Sequence, residues 1–409
     1  MVGSLSLLGL SKSDAQNLVN TAFRDQRAIT TAVPFLMISP DARTGALGDA
    51  GVALPDNLNA IHWNAAMLPF NEKKGAVSLS YTPWLRALVP DVSLSYLSVY
   101  GKINDRSAIA GSLRYFSLGE IQFTDIVGNS LGNFTPNEFA ADVAYAQKLS
   151  EKFSVGIAFR YIYSNLAGGF NQSQTPIHAG VSYAGDISCY YKDDTRVKGY
   201  KVNYGFGAAA TNLGAKVTYT SSQYANFIPM NLRVGSYGQV EIDKYNTIAL
   251  LLDLDKLMVP TNPVYATDAS GNVQYNSSNQ PVISKGMNPN VPVIQGMFQS
   301  FYDSPGGFSE EMSEINISTG IEYWYDKQFA LRTGYFYENP NKGNRKYMTF
   351  GMGIKYNVFG LDAAYLISFG QRNPLDNTLR FTFTFDFDAF RTQNKNTEEK
   401  KDVFETPAN

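Results

Sequence analysis

Large apolar residues alternate with small or polar residues, at a period of two, along most of this chain. Phe381, Phe383 and Phe385, for example, are separated by single threonines. In an extended strand successive side chains point to opposite faces, so this alternation places the large residues on one face. The pattern therefore predicts a protein built almost entirely of β-strands.

The residues between the large ones indicate which kind of sheet protein to expect. They are mostly Gly, Ala, Ser and Thr with an occasional charge, whereas soluble sheets usually carry more Lys and Glu on their outer face. Charged residues make up only 17% of the chain, against about 25% in typical soluble domains. The pattern favours a membrane barrel with its aromatic residues facing lipid over a soluble β-protein. No apolar run of about 18 residues occurs, so no helical span is expected.

Fourteen strands are predicted from this alternation. Several of them are longer than the roughly 9–11 residues that cross a bilayer at a tilt, so some are expected to project beyond the membrane. The predicted strands cover residues 75–83, 91–102, 106–116, 137–148, 152–164, 176–190, 200–213, 229–241, 245–255, 312–325, 328–338, 345–357, 359–369 and 377–389.

The predicted connections are short on one side of the sheet and long on the other. Tight connections such as 103–106 and 242–245 follow even-numbered strands, while long ones such as 117–136 and 256–311 follow odd-numbered strands. The long connection near 191–199 is an exception. Outer-membrane barrels have short periplasmic turns and longer extracellular loops. We therefore expect an all-β fold, a 14-stranded antiparallel transmembrane β-barrel, with both termini in the periplasm.

A stretch without periodicity, residues 40–70, precedes the first predicted strand. It is rich in Gly, Asp, Asn and Pro, and its glycines permit backbone turns that other residues resist. Its charged residues could pair with charges that face the barrel lumen, so the stretch is expected to form a plug at the mouth of the barrel or inside it. The residues that characterise this plug are Pro40, Asp41, Arg43, Gly45, Gly48, Asp49, Gly51, Trp63 and Asn64.

Three regions are therefore expected along the chain. Residues 1–74 form an N-terminal periplasmic helix, near 11–27, followed by the lumen plug. Residues 75–390 form the outer-membrane barrel, whose longest extracellular loop covers about 256–311. The polar, charged stretch 391–409 is expected to be a flexible periplasmic tail.

The sequence gives no sign of catalysis. The two histidines, His62 and His178, are far apart in the sequence, and the single cysteine, Cys189, is most simply a small apolar filler. Asp253 and Asp255 are more simply a solvated or lumen-facing pair than a metal site. No enzyme activity, cofactor or metal is therefore expected. A formal net charge of −2 without a basic stripe also argues against a nucleic-acid partner.

A set of charged residues is expected to face the lumen. Mutual pairing and contact with the plug is the favoured interpretation, because a charge inside a barrel needs a partner. The alternative is that they line a path for a polar solute. The set comprises Arg114, Asp142, Arg160, Arg233, Glu241, Glu322, Arg332 and Lys355.

Two motifs carry a resemblance to a known family. The first comprises Pro40 to Arg43, Gly45, Gly48 to Gly51 and His62 to Asn64 with Ala66. It resembles the N-terminal signature of the PorV family, outer-membrane components of the Bacteroidetes type IX secretion system. Many relatives carry Asn-Pro-Ala after the tryptophan, whereas this chain has Asn-Ala-Ala. The second motif is similar to a loop of that family and is the candidate partner-binding loop. It contains Phe301, Tyr302, Asp303, Pro305, Gly306, Gly307 and Phe308.

The resemblance implies a fold and a role. The wider relatives are fatty-acid-transporter barrels with 14 strands and an N-terminal plug. PorV-like proteins bind secreted cargo through its C-terminal signal domain and pass it from the giant translocon barrel to a sortase-like attachment complex at the cell surface. Outer-membrane lipids or lipopolysaccharide would surround the barrel. The alternative function is transport of hydrophobic small molecules such as fatty acids, and a third is a structural partner that closes the side of a larger channel.

Overall fold

Fourteen strands form one closed antiparallel barrel in the computed structural model, which describes residues 27–84, 91–124, 127–128, 130–166, 177–220, 225–369 and 377–387. The barrel strands are β1 (Gly75–Pro83), β2 (Val92–Lys102), β3 (Ser107–Leu118), β6 (Asn137–Lys148), β7 (Phe153–Asn165), β8 (Gly180–Val197), β9 (Tyr200–Gly214), β10 (Asn231–Glu241), β11 (Asn246–Leu257), β14 (Asn316–Tyr325), β15 (Phe329–Tyr337), β16 (Lys346–Tyr356), β17 (Phe359–Ser368) and β18 (Thr378–Asp386). Each pairs with its neighbour along the chain, and β1 pairs with β18 to close the ring.

The alternation in the sequence becomes the two faces of the barrel wall. On β18, Phe381 and Phe383 are 44% and 45% exposed on the outside, whereas Thr382 between them is 1% exposed and faces inward. Thr382 lies opposite Ser80 of β1, and their hydroxyl oxygens are 2.8 Å apart. Small inward residues leave the lumen wide enough to hold other parts of the chain.

The predicted strand count and antiparallel arrangement are confirmed, but one predicted connection was wrong. The long connection expected near 191–199 is a two-residue turn, because β8 continues to Val197 and β9 begins at Tyr200. Lys198 and Gly199 both have positive φ angles, of 51° and 88°, which suit the tight turn of a hairpin. The tip lacks alternation because most of its residues are polar and solvent-exposed, and β7 pairs with β8 only as far as Tyr191.

The two ends of the barrel differ in their connections. Short turns join the strands at one end, which we call the turn end, and β1 begins there. Longer connections lie at the opposite, loop end. The small strand pairs β4 (Ile121–Thr124) with β5 (Ser130–Phe134) and β12 (Val264–Tyr265) with β13 (Ile283–Lys285) belong to these loops, as do the helices α3 (Val293–Gln299) and α4 (Phe308–Ser313). In the described part of the chain, no helix has the length and apolar character needed to cross a membrane.

The N-terminal segment (residues 27–74) contacts strands on different sides of the ring. Its backbone N–H groups donate to Thr382 of β18 and Asp253 of β11, and its Ala66 carbonyl accepts a hydrogen bond from Ser154 of β7. It therefore occupies the lumen. It contains two short α-helices, α1 (Ala42–Gly45) and α2 (Ala60–Trp63), and two 3₁₀ turns, Pro34–Met37 and Ala65–Phe70.

Apolar side chains of the segment pack in two clusters. One, nearer the loop end, joins Phe35 and Leu36 to Phe116 of β3 and to the loop residue Ile228. The other, nearer the turn end, packs residues 47–68 against inward-facing tyrosines and alanines of the barrel. Apolar burial on this scale is favourable in proportion to the area removed from water. The predicted helix upstream of Arg27 and the predicted tail at 391–409 lie outside the described residues.

Candidate functional site

Asp41 organises the first turn of the segment inside the lumen. Its carboxylate accepts hydrogen bonds from the backbone N–H of Thr44 at 2.9 Å, from the Thr44 hydroxyl at 2.5 Å, and from the indole N–H of Trp63 at 3.3 Å. It thus caps the N-terminus of α1 and ties α1 to α2, as a short acceptor at this position is expected to do. Pro40, directly before it, is buried.

Arg43 and Asp49 pair with charges on the barrel wall. The Arg43 guanidinium forms two parallel bonds to the Glu322 carboxylate, at 2.9 and 2.8 Å, and Glu322 also accepts from Arg332. Asp49 accepts a hydrogen bond from Arg380 of β18 at 2.7 Å. Bidentate, buried arginine–carboxylate pairs fix geometry as well as charge. Sequence reasoning missed Arg380, whose inward position follows from its parity on β18.

The glycines of the motif have different structural roles. Gly48 has a φ of +68°, and a β-carbon there would meet the backbone of Tyr335. Gly45 leaves room for the Arg380 side chain, and Gly51 leaves room for the Trp63 ring. Only the first adopts a left-handed conformation, so the other two serve close packing rather than turning.

Asn64 fastens the turn that follows α2. Its side-chain amide donates to the carbonyls of Val52 and Cys189, and its oxygen accepts from the backbone N–H of Ala66 at 3.0 Å. The same N–H is also within 3.2 Å of the Ser188 hydroxyl on β8. The Asn-Ala-Ala sequence therefore forms a hydrogen-bonded turn against the barrel wall.

The lumen charges pair with each other and with the segment. Arg160 bonds to Asp142 at 2.5 Å and to Asp186 at 3.1 Å, and Arg233 bonds to Asp255 at 2.9 Å. The predicted mutual pairing is confirmed for Arg160 with Asp142 and for Arg332 with Glu322, whereas Asp186 and Asp255 are partners outside the predicted set. The remaining members of the set pair or pack as follows: Arg114 donates to the carbonyls of Phe35 and Leu36, Glu241 pairs with Lys201, and Lys355 lies over the Trp324 ring.

Asp253 holds the segment by its backbone. Its carboxylate accepts from the N–H groups of Gly51 and Val52, at 2.7 and 2.9 Å, and it is 1% exposed. We expect Asp253→Ala to lower the free energy of unfolding by about 2–5 kcal/mol, because two buried donors lose their acceptor. The measurement is the temperature at which the folded barrel band disappears on a heat-modifiability gel. An unchanged temperature relative to wild type would contradict this role.

The long loop displays a second group of candidate residues at the loop end. Ile294 and Phe298 lie one turn apart on α3, and Phe308 and Met312 lie one turn apart on α4. All are exposed, Phe308 to 79%. We call these four residues, together with Phe301 and Tyr302 between the helices, the α3–α4 surface. Exposed apolar residues in such number mark interaction surfaces more often than single exposed ones do.

A buried polar network fixes this surface to the barrel. Lys256 at the end of β11 bonds to Glu311 and Glu314, and Lys342 bonds to Glu314 and to Glu310 of α4. These ion pairs therefore restrain the loop and hold its exposed residues in a fixed position.

Some residues of the predicted partner-binding motif are exposed at the loop end, and one belongs to the buried polar contacts beneath it. Phe301, Tyr302 and Phe308 are exposed, as are Gly306 and Gly307, and Pro305 is half-buried. Asp303 is buried instead, and its carboxylate accepts from the backbone N–H of Thr261 and the amide of Gln299. Sequence reasoning missed Ile294, Phe298 and Met312, which their i, i+4 spacing on two short helices could have indicated.

The pKa values of the carboxylates in this loop are shifted in opposite directions. Burial raises the pKa of Asp303 to about 6. Burial alone would also raise the pKa values of Glu310 and Glu314, but hydrogen bonds from Lys342, Arg27 and Lys256 hold both below their usual range. The stability that the two glutamates contribute is present above their unfolded pKa and lost as pH falls through the lower folded value.

We expect the loop to loosen as the pH rises from about 4 to about 6. The folded-state pKa of Asp303 is above its unfolded value, so its contribution is full below the unfolded pKa and is lost as pH rises through about 6. Hydrogen exchange at residues 299–304, corrected for intrinsic rate, should therefore accelerate over this range. The isosteric variant Asp303→Asn should remove the acceleration. The same pH dependence in that variant would assign it to another group.

An apolar cavity of about 420 Å³ lies beside α3 at the loop end. It is open on one side and adjoins the α3–α4 surface through Ile294. Its lining residues are Leu213, Gly214, Ala215, Met230, Val293, Ile294 and Met297.

Several solved structures are similar to this one. The toluene transporter TbuX of Ralstonia pickettii is 11% identical, with 86% of this chain and 98% of that chain covered at a TM-score of 0.46. The toluene transporter TodX of Pseudomonas putida is 12% identical, with 83% and 95% covered at 0.46. A FadL homologue of Pseudomonas aeruginosa is 9% identical, with 88% and 100% covered at 0.41. The comparison with curated proteins finds no match.

The family comparison is specific. The profile described as "Type IX secretion system protein PorV" matches residues 21–264, well over half of the chain. The matched range includes the segment motif from Pro40 to Asn64 and the barrel strands as far as β11. The barrel, with its apolar outer face, is of the outer-membrane type. The chain therefore belongs to the PorV family of type IX secretion system proteins.

Proposed function

We propose that this outer-membrane protein binds secreted cargo through the cargo's C-terminal signal domain and hands it from the translocon to the attachment machinery. The observation that carries the proposal is the α3–α4 surface, where Phe298, Phe308 and four further apolar side chains are exposed on a loop fixed by buried ion pairs. Aromatic residues held rigidly are the usual anchors of a protein interface, because little side-chain freedom is lost on binding.

The proposed orientation places the turn end in the periplasm and the loop end outside the cell. Barrels of this type have short periplasmic turns and longer extracellular loops. The α3–α4 surface would then face cargo that has already crossed the membrane. Transfer of cargo from its export to its attachment at the cell surface requires two partners. These are the giant translocon barrel and the sortase-like attachment complex.

We further propose that the N-terminal segment is a structural plug. Its residues contribute buried contacts to both apolar clusters and pair with wall charges through Arg43 and Asp49. A barrel filled in this way would not serve as an open channel, and cargo would move along the outside of the barrel.

Transport of hydrophobic small molecules is the second candidate function. The cavity of about 420 Å³ favours it, because its lining is apolar and it opens at the loop end. Against it, Ile294 of the lining also belongs to the exposed surface, and the segment fills the lumen below. Uptake of a fatty acid by the purified barrel would distinguish this function from cargo binding.

The proposal is tested by recovering the protein with its partners. An affinity-tagged chain, extracted from outer membranes in mild detergent, should co-purify cargo bearing the C-terminal signal domain together with the translocon. An untagged strain serves as the control for non-specific recovery. Recovery of neither partner, combined with fatty-acid uptake by the purified barrel, would replace the cargo function with the transport function.

A further inference from the structure

The N-terminal segment has its two ends at opposite ends of the barrel. At one end, the Arg27 backbone N–H donates to Asn341 in the β15–β16 loop, and Ala32 donates to Phe227 in the β9–β10 loop. At the other end, the Lys74 carbonyl accepts from the backbone N–H of Lys102, next to the β2–β3 turn. The first contacts lie at the loop end and the last at the turn end.

Contacts between these points do not follow one direction throughout, because Asp49 and Trp63 reach Tyr347 and Arg233 near the loop ends of β16 and β10. Phe35 and Leu36 meet Arg114 in the half of β3 nearer the loop end, whereas Asn59 meets Ser98 in the half of β2 nearer the turn end. The segment moves back and forth along the barrel axis, but its net course runs from the loop end to the turn end, because its first and last contacts lie at opposite ends of the barrel.

We infer that the N-terminal segment enters the lumen from the loop end, so that residues 27–30 are part of the surface at that end. We also infer that Arg27 attaches the segment to α4. The guanidinium of Arg27 bonds to both oxygens of Glu310, at 2.9 and 2.8 Å. Glu310 is on α4, between the exposed Phe308 and Met312. Arg27, at the upstream end of the segment, therefore contacts the same helix, α4, that carries part of the α3–α4 surface.

This path differs from the one expected from the order of the chain. Because both termini are predicted to be periplasmic, the residues before Gly75 are expected to lie on the periplasmic side or to fold up into the lumen from there. The contacts of Arg27 instead make its upstream end a neighbour of the long loop. Ala28 and Thr30 are exposed there and would contribute to the surface that a partner of α4 meets. The path itself does not depend on the cargo hypothesis.

The path is tested by labelling single cysteines in whole cells. In a Cys189→Ser background, Thr30→Cys is compared with Ser277→Cys in the long loop and Asn104→Cys in the β2–β3 turn, all at exposed positions. The reagent is a maleimide on a large polyethylene glycol, which does not cross the outer membrane. We expect Thr30→Cys and Ser277→Cys to give the same result in whole cells, either both labelled or both unlabelled. Asn104→Cys should give the other result. Labelling of Thr30→Cys together with Asn104→Cys would overturn the inference, whichever end faces outward.

The role of Arg27 in attaching the segment to α4 is tested by hydrogen exchange in the purified barrel. Arg27→Met should accelerate exchange at residues 28–33 about tenfold or more, because a charge-assisted pair is lost. Arg27→Lys, which keeps the charge, should retain part of the protection. The matched control is Arg345→Met, which breaks the nearby ion pair between Arg345 and Glu338 and leaves the pair between Arg27 and Glu310 intact. Equal acceleration in the Arg345 variant, or none in Arg27→Met, would overturn the role.

Discussion

Replacing Gly334 with valine is expected to open the barrel lumen. Gly334 faces inward on β15, and a β-carbon there would lie closer than 3.0 Å to the backbone of Leu47 and Gly48. Backbone atoms of a segment held on both sides cannot move aside as a flexible side chain can. The segment should therefore leave its position near β15, and the ion pair between Asp49 and Arg380 should be lost with it.

The expected readouts are a large gain in single-channel conductance in planar bilayers and new protease cleavage between residues 40 and 60. The barrel itself should remain heat-modifiable on gels, because its strand pairing does not involve the segment. Gly238→Val is the matched control, since nothing lies within 4 Å of a β-carbon at that position. A closed, protease-resistant Gly334→Val barrel would show that the segment does not seal the lumen.

Charges introduced at the α3–α4 surface are expected to abolish cargo binding. Phe298 and Phe308 are 60% and 79% exposed on two different helices, so the double variant Phe298→Glu with Phe308→Glu should not disturb folding. Burying two carboxylates against an apolar partner is costly, and hot-spot aromatics typically contribute about 2 kcal/mol or more each. The affinity for a purified signal domain should therefore fall by a factor of about a hundred or more.

Tyr275→Glu provides the matched control for this variant. Tyr275 is 60% exposed in the same long loop but lies outside α3 and α4. The control should bind cargo as wild type does. If the two aromatic substitutions leave the affinity unchanged, or if Tyr275→Glu lowers it equally, the binding surface lies elsewhere on the loop end.

Local residue patterns predicted the barrel wall because each strand must separate an apolar outer face from a small-residue inner face. The alternation at Phe381, Phe383 and Phe385 is a direct consequence of that requirement. The pattern disappears where the requirement ends. Beyond Tyr191 the β8–β9 hairpin extends past its neighbour β7, residues 194–201 are solvent-exposed on both faces, and most of them are polar. This is why its tip was assigned to a loop.

The interior could not be predicted in the same way, because its contacts join residues far apart in the sequence. Arg43 and Glu322 are 279 positions apart, and Arg27 and Glu310 are 283 apart. The residue pattern indicates that charges in the lumen need partners, but it does not indicate which charges meet. Asp41 illustrates the limit, because it was expected to pair with a lumen charge and instead caps α1 and accepts from Trp63.

The most direct test of the account is site-specific photo-crosslinking in living cells. A photoreactive phenylalanine analogue at Phe298 is compared with the same group at Tyr356, which is exposed next to the β16–β17 turn at the turn end. We predict that Phe298 crosslinks to the C-terminal signal domain of secreted cargo and that Tyr356 does not. Crosslinks to cargo from Tyr356 alone, or from neither position, would contradict cargo binding at the loop end.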